Sequence, residues 1–239
     1  LSSISGGTDL NGCFAAGNPM GPVYRGEFQC RTLGMNVRAF DKNGNSVENQ
    51  QGELVCLSPF QSMPIYFWND EDGSKYHHAY FDVYPGVWRH GDYIKITEHK
   101  GVIFYGRSDA TLNPGGIRIG TAEIYRQVDK IEEVEDSLVI GQEWKDDQRV
   151  ILFVKLAGGI ELDRELKDRI RTVIRENTTP RHVPRKILQV EDIPYTINMK
   201  KVEIAVRNII HGKPVRNQDA LRNPESLELY RDIPELQTD

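Results

Sequence analysis

Cysteine is scarce. The 239-residue chain has 3, namely Cys13, Cys30 and Cys56, spaced too widely for a metal knuckle and in an odd number that gives no disulfide framework. A reducing cytosol suits that usage. No stretch reaches the ~18 consecutive apolar residues that a bilayer span requires, so no span is expected. Positive charge is not in excess either, because 30 Lys and Arg against 35 Asp and Glu give a net charge of -5. With the signs interspersed, no basic face is available for a phosphate backbone, which argues against nucleic acid as a partner. The opening residues "LSSISGG" hold neither a helix cap nor a targeting pattern, and an interior segment of a longer protein is expected. The sequon Asn177-Thr178-Thr179 comes without a secretory signal and is read as chance.

What is present falls into two regimes. Residues 1–106 are rich in glycine, proline and aromatics, with strand-like runs "MNVRAFD", "GELVCLS", "DYIKITE" and "GVIFYGR" separated by turn residues such as Asn43-Gly44-Asn45. The last two runs form a hairpin whose second strand delivers Arg107 and Asp109 to its end. After Pro114 helices and strands alternate. Ile124, Val128 and Ile131 share a helical face, "SLVIG", "VILFVKL" and "KILQV" read as strands, and Leu162, Leu166, Ile170, Val173 and Ile174 stripe a second helix. Val202, Val206 and Ile209 mark a last one, and the tail after His211 is expected to wrap the surface. The chain is therefore read as α/β (α+β), in two parts.

The junction "GRSDATLNPGGIRIGTAEI", residues 106–124, concentrates polar chemistry. A linker can be polar and glycine-rich because it is solvated. Two arginines bracketing a glycine pair can also converge on phosphate or carboxylate, with the glycines letting a ligand approach the backbone. "SGGTD" at 5–9 offers backbone donors, a hydroxyl and a carboxylate for an anion with its magnesium, but lacks the lysine of a Walker loop. "WRHGDY" places Asp92 where a carboxylate can accept two hydrogen bonds from a ribose diol. "DIPYTINMKK" puts Lys200 in a loop just before a helix.

The ordered set Thr8-Asp9, Gly52-Glu53-Leu54, Gly91-Asp92, Gly106-Arg107-Ser108-Asp109, Gly116-Ile117-Arg118 with Glu123-Ile124, and Pro194 with Lys200 resembles the C-terminal part of the AMP-forming acyl-CoA synthetases of the adenylate-forming superfamily. The resemblance implies the β-rich end of a large adenylate-forming domain over 1–108, followed by a small mobile lid domain over 109–239. It also implies a ligase that joins a carboxylate to ATP, releases pyrophosphate, and passes the acyl group to coenzyme A. Carried over by position, Lys200 is the adenylation lysine, Thr8, Asp92, Arg107 and Arg118 contact the nucleotide, and Asp9 contacts Mg2+. Asp109 is the hinge, and Gly115, Gly116 and Arg175 lie near coenzyme A.

Within the family, "GGTDL", "YFDVYPGVWRHGDY", "NPGGIRIGTAEIYR" and "LYRDIPEL" are similar to members acting on acetoacetate. Members acting on acetate carry bulky tryptophans just before the threonine matched by Thr8. This chain has Ser5, Gly6 and Gly7, an acyl pocket expected to admit a longer acid such as acetoacetate, unless the glycines only serve turn geometry. Two departures stand out. Methionine 199 replaces the family's glycine before the lysine, which is costly if the backbone there is left-handed. The family's phosphate loop and adenine segment have no match here, so these residues alone are not expected to adenylate. A catalytically impaired pseudoenzyme or interaction protein is the alternative reading, and a luciferase-like or peptide-synthetase domain a third. His77-His78, in a strand-like aromatic run, is read as packing or surface, and Tyr66, Phe67 and Trp68 as core.

Overall fold

The computed structural model describes residues 2–215 and 217–239, which divide into two compact units, Leu1–Ser108 and Asp109–Asp239. In the first unit, β1 (Ser5–Gly7), β2 (Gly12–Ala16) and β3 (Cys30–Arg31) make a three-stranded antiparallel sheet. A five-stranded antiparallel sheet follows, in the order β5-β4-β6-β7-β8: β4 (Val37–Phe40), β5 (Ser46–Val47), β6 (Gln51–Cys56), β7 (Trp88–Ile96) and β8 (Val102–Arg107). Val37, Ala39, Leu54, Ile94, Ile96 and Val102 turn inward beneath Leu10, Phe14 and Trp88. Each such side chain, fully removed from water, contributes about 1.5–3 kcal/mol before entropy is counted.

One helix, α1 (Ser74–Tyr80), contains the "KYHHAY" run expected to be strand-like. Its formation is local. The Asp70 carboxylate accepts the amides of Lys75 at 2.9 Å and Tyr76 at 2.8 Å, two of the orphan donors of a first turn, and that capping outweighs the strand preference of the aromatics. Tyr76 and Tyr80, one turn apart, then pack on Trp88, while His77 and His78 stay at the surface. The neighbouring aromatics correct a second expectation: Phe67 packs against Tyr76, but Tyr66 is 66% and Trp68 85% exposed rather than core.

The second unit is a β11-β10-β9 sheet covered on both faces. Its elements are α2 (Thr121–Val128), β9 (Val134–Trp144), β10 (Asp147–Leu156), α3 (Arg164–Asn177), β11 (Lys186–Gln189) and α4 (Glu203–Ile210). β9 and β10 pair antiparallel and β10 and β11 parallel, with α3 as the crossover a parallel pair requires. Alternation sorts the faces. Val139, Val150, Leu152 and Val154 meet Ile124 and Val128 of α2 and Leu166, Ile170 and Ile174 of α3. Leu138, Ile140, Ile151 and Phe153 meet Val206 and Ile209 of α4. Asp163 caps α3, accepting the Leu166 amide at 2.8 Å.

The tail is not a surface wrap. Leu227, Tyr230 and Leu236 are buried at 2%, 0% and 1% exposure in the core shared with α4. Arg149 donates to the Leu236 and Thr238 carbonyls, at 2.7 Å each. The tail runs in short 3-10 turns, too brief to leave a helical stripe in the sequence.

Candidate functional site

The first unit gathers its polar residues at one end of the β7–β8 hairpin. Asp92 lies in the middle of β7, not at its start, with Arg107 directly across the ladder. Arg107 Nη1 donates to the His90 carbonyl at 3.0 Å and stands 3.6 Å from Asp92 Oδ1. His90 Nε2 lies 3.7 Å from Asp92 Oδ2. The aspartate is thus framed by a guanidinium and an imidazole, its side chain only 15% exposed while Arg107 is 51% exposed.

Thr8 and Asp9 are exposed in the turn after β1, where the Thr8 carbonyl accepts the Asn11 amide at 3.0 Å. The Tyr80 hydroxyl donates to Asp9 Oδ2, and Tyr80 stacks on Trp88 with centroids 3.6 Å apart. Burial, and then the Asp9 hydrogen bond, push the phenol well above its ordinary range. Ser5, Gly6 and Gly7 are half-buried in β1. A Cβ at Gly6 would meet the Gly12 carbonyl oxygen at 2.0 Å, and one at Gly7 the His90 ring at 2.9 Å. Close approach of β1 to β2 therefore accounts for Gly6, whatever else an open pocket would gain from it.

Glu53, Arg89 and Ser108 form a network that sequence reasoning missed. Glu53 is 6% exposed, pairs with Arg89 Nε at 3.3 Å and accepts the Ser108 hydroxyl at 3.0 Å. Burial raises its carboxyl above the usual value, against the lowering by Arg89 and Ser108. It ties β6 and β7 to the residue after β8. In the sequence Glu53 stands out only as part of a motif, because its partners are set by strand register.

In the second unit the Asp109 carbonyl accepts from Arg207 Nη1 at 2.9 Å. Gly115 and Gly116 form a 3-10 turn after Pro114, and Gly115 has a left-handed φ of 59°. Asp147 accepts the Gly115 amide at 2.9 Å and 3.0 Å from its two oxygens. Arg181 Nη1 donates to the Pro114 and Gly115 carbonyls at 3.3 Å and 3.4 Å. The glycine pair is therefore braced from both sides by side chains that the sequence does not mark. Arg118 is exposed beyond this turn, and Arg175 is exposed in the last turn of α3.

Lys200 sits on a hairpin between Tyr195 and Lys201, which are bridge partners. The Met199 amide donates to the Thr196 carbonyl at 2.9 Å, and the Thr196 amide to the Lys200 carbonyl at 2.8 Å. The Lys200 amide donates to Thr196 Oγ1 at 3.1 Å. This is a three-residue loop ending in a left-handed residue, the place where glycine is ordinarily found. Met199 occupies it at φ 59°, so the strain anticipated from the sequence is present. The loop nevertheless closes, the Arg222 guanidinium lies against the Met199 sulfur, and Lys200 is exposed.

Among the described residues no group of three or more His, Cys, Asp or Glu side chains is arranged to hold a metal ion. His77 and His78 share Asp82 without a further ligand. No helix among them is long and apolar enough to cross a membrane.

No protein-family model matches the chain. It is 54% identical over 238 residues to an acetoacetyl-coenzyme A synthetase of Rhizobium meliloti (strain 1021), with 100% of this chain and 37% of that protein covered. It is 54% identical over 239 residues to an acetoacetyl-CoA synthetase of Rattus norvegicus, covering 99% and 36%. The solved structure of the acetoacetyl-CoA synthetase from Streptomyces lividans superposes with a TM-score of 0.92 at 43% identity, over 99% of this chain and 36% of that one. The anthranilate CoA ligase AuaEII shares the fold at 21% identity and a TM-score of 0.73, over 87% of this chain and 39% of that one. The chain thus spans little more than a third of the length of the relatives it matches, and over that span it has the acyl-CoA synthetase fold.

Proposed function

We propose, on the premise that the chain matches acetoacetyl-CoA synthetases from end to end, that its residues serve an acid–thiol ligase converting acetoacetate, ATP and coenzyme A to acetoacetyl-CoA, AMP and pyrophosphate. The observation that carries the reading is the 54% identity across the whole chain. In the first half-reaction an acetoacetate oxygen attacks the α-phosphorus of ATP and pyrophosphate leaves. Negative charge builds on the α-phosphate oxygens, and the Lys200 ammonium neutralises it. Thr8 offers a hydroxyl to the phosphates and Asp92 accepts hydrogen bonds from the ribose hydroxyls. Arg107 and Arg118 add charge against the nucleotide.

Asp9 would hold the Mg2+ that accompanies the phosphates and screens their charge. Such an ion is commonly held by one or two carboxylates with the rest of its shell supplied by phosphates and water, which a single exposed carboxylate fits. In the second half-reaction the coenzyme A sulfur attacks the acyl carbonyl and AMP leaves, with Gly115, Gly116 and Arg175 lining the approach of coenzyme A. Ser5, Gly6 and Gly7 leave room for the four-carbon acid. Residues 1–108 belong in this reading to the large adenylation domain and 109–239 to a mobile lid turning at Asp109. A lysine on a moving part can serve the first step and withdraw for the second. Three free thiols suit a reducing cytosol.

The test is acetoacetate-dependent AMP release from ATP and coenzyme A by the intact protein, with acetate and butyrate as competing acids, beside Lys200→Ala. Activity that prefers acetoacetate and falls by about 100- to 1000-fold in the variant supports the reading. Nucleotide binding without turnover on any acid would return the impaired alternative.

A further inference from the structure

Two lysines stand side by side, and the hairpin treats them differently. Lys200 is exposed on the loop, whereas the Lys201 side chain is 21% exposed and its ammonium lies 2.7 Å from Asp136 Oδ1. Lys201 also donates to the Ser137 carbonyl at 2.5 Å and sits 4.4 Å from the centroid of the Tyr125 ring. The opposite arm of the hairpin reaches the same carboxylate, since the Tyr195 hydroxyl donates to Asp136 Oδ2 at 2.7 Å. One aspartate on β9 therefore holds both arms, an oxygen to each. The ring under Lys201 is fixed in turn: Tyr125 donates to Glu203 Oε1 at 3.0 Å and accepts the Val139 amide at 3.1 Å.

The geometry points to Asp136 and Lys201 as positioning residues for Lys200, a clamp that holds a strained loop so that its lysine is presented in one place. The inference rests on the reading of Lys200 as the adenylation lysine. A long, flexible ammonium on a three-residue loop gains catalytic value only where its base is fixed, because misplacement by about 1 Å can cost on the order of 100-fold in rate. The loop closes on the Thr196 hydrogen bonds, and its first arm pairs with the tail, the Ile197 amide donating to the Ala220 carbonyl at 3.0 Å and the Arg222 amide to the Tyr195 carbonyl at 2.9 Å. β9 adds what these backbone bonds do not, a charge-assisted pair on the second arm, next to Lys200, that is partly shielded from water. Lys201 is consumed in this contact, which divides the labour between two residues of identical chemistry.

The experiment separates the two half-reactions in the intact protein. Adenylation is followed by acetoacetate-dependent exchange of labelled pyrophosphate into ATP, and thioester formation by transfer from a chemically prepared acyl-adenylate to coenzyme A. Lys201→Met and Asp136→Asn are expected to lower kcat for adenylation by about 10- to 100-fold, with KM for ATP and acetoacetate little changed and thioester formation intact. Lys201→Arg, whose guanidinium can still pair with Asp136 and lie over the Tyr125 ring, is expected to keep more of the rate than Lys201→Met. Tyr195→Phe removes one arm's hydrogen bond and shows a smaller loss in the same step, which keeps the test open if the other variants fold poorly. Wild-type adenylation by Lys201→Met, or a parallel loss of both half-reactions with a lowered Tm, overturns the clamp. Lys200→Ala tells the two levels apart: if it adenylates normally the underlying reading falls, and if it is dead while Lys201→Met is active only the clamp falls.

Discussion

Met199 holds a left-handed backbone at φ 59°, a conformation that costs an L-residue roughly 1–2 kcal/mol. Glycine adopts it freely but gives back part of that gain as entropy of the unfolded chain. Met199→Gly is therefore expected to stabilise the protein by up to about 1 kcal/mol, read as a higher unfolding midpoint in denaturant. A loss of stability would show that the contact between the Met199 sulfur and Arg222 outweighs the strain. The methionine was conspicuous in the sequence because it breaks a motif. Its dihedral angle was not, because the loop is closed by hydrogen bonds between Thr196 and the Met199 and Lys200 backbone that no residue pattern announces.

The joint between α2, β9 and α4 has its own pH signature. Burial raises the Glu203 carboxyl above its ordinary value of 4.5, more than the Tyr125 hydroxyl and Lys201 lower it. A carboxyl raised on folding contributes stability that is complete below its unfolded pKa and is lost as pH climbs through the folded one. Glu203→Gln keeps an acceptor for Tyr125 but carries no proton to lose. Its stability relative to wild type should rise between about pH 4 and pH 7.5, measured as the difference in unfolding free energy at the two values. A difference that is flat or falls with pH would mean that the nearby cation, not burial, sets the carboxyl. Of this joint the sequence showed only the helical stripe of α4. Glu203 lies far along the chain from Tyr125 and Asp136, and the three are brought together by the packing of α2 and α4 against β9.

The two units differ in how they meet water. The most exposed large apolar side chains belong to the first: Met20 at 95%, Leu33 at 97%, Ile65 at 88% and Trp68 at 85%. The second unit encloses its sheet on both faces. Residues 1–108 expressed alone should self-associate and 109–239 alone should run as a monomer, in size-exclusion chromatography with light scattering. A monodisperse 1–108 would count against this. The change of pattern after Pro114 made the α/β architecture legible, since hydrophobic period reports directly on strand and helix. Local motifs made candidates such as Asp92, Arg107 and Lys200 legible. What stayed hidden depends on long-range pairing: Glu53 with Arg89, Asp147 and Arg181 about Gly115, and the buried tail.

One feature of the sheet bears on the order in which the second unit forms. β9 and β10 pair along nearly their whole length across the two-residue turn Lys145-Asp146, whose first residue has φ 55°. That hairpin closes a short loop and can form within microseconds, whereas β11 must wait for α3 to cross before it joins in parallel. Tyr230 and Leu236 can dock only on a face that this assembly has already made. The unit is thus expected to fold outward from its hairpin and to add its last residues late, as a seal on a core begun without them, and φ-values near zero at Tyr230 and Leu236 would be the sign of it.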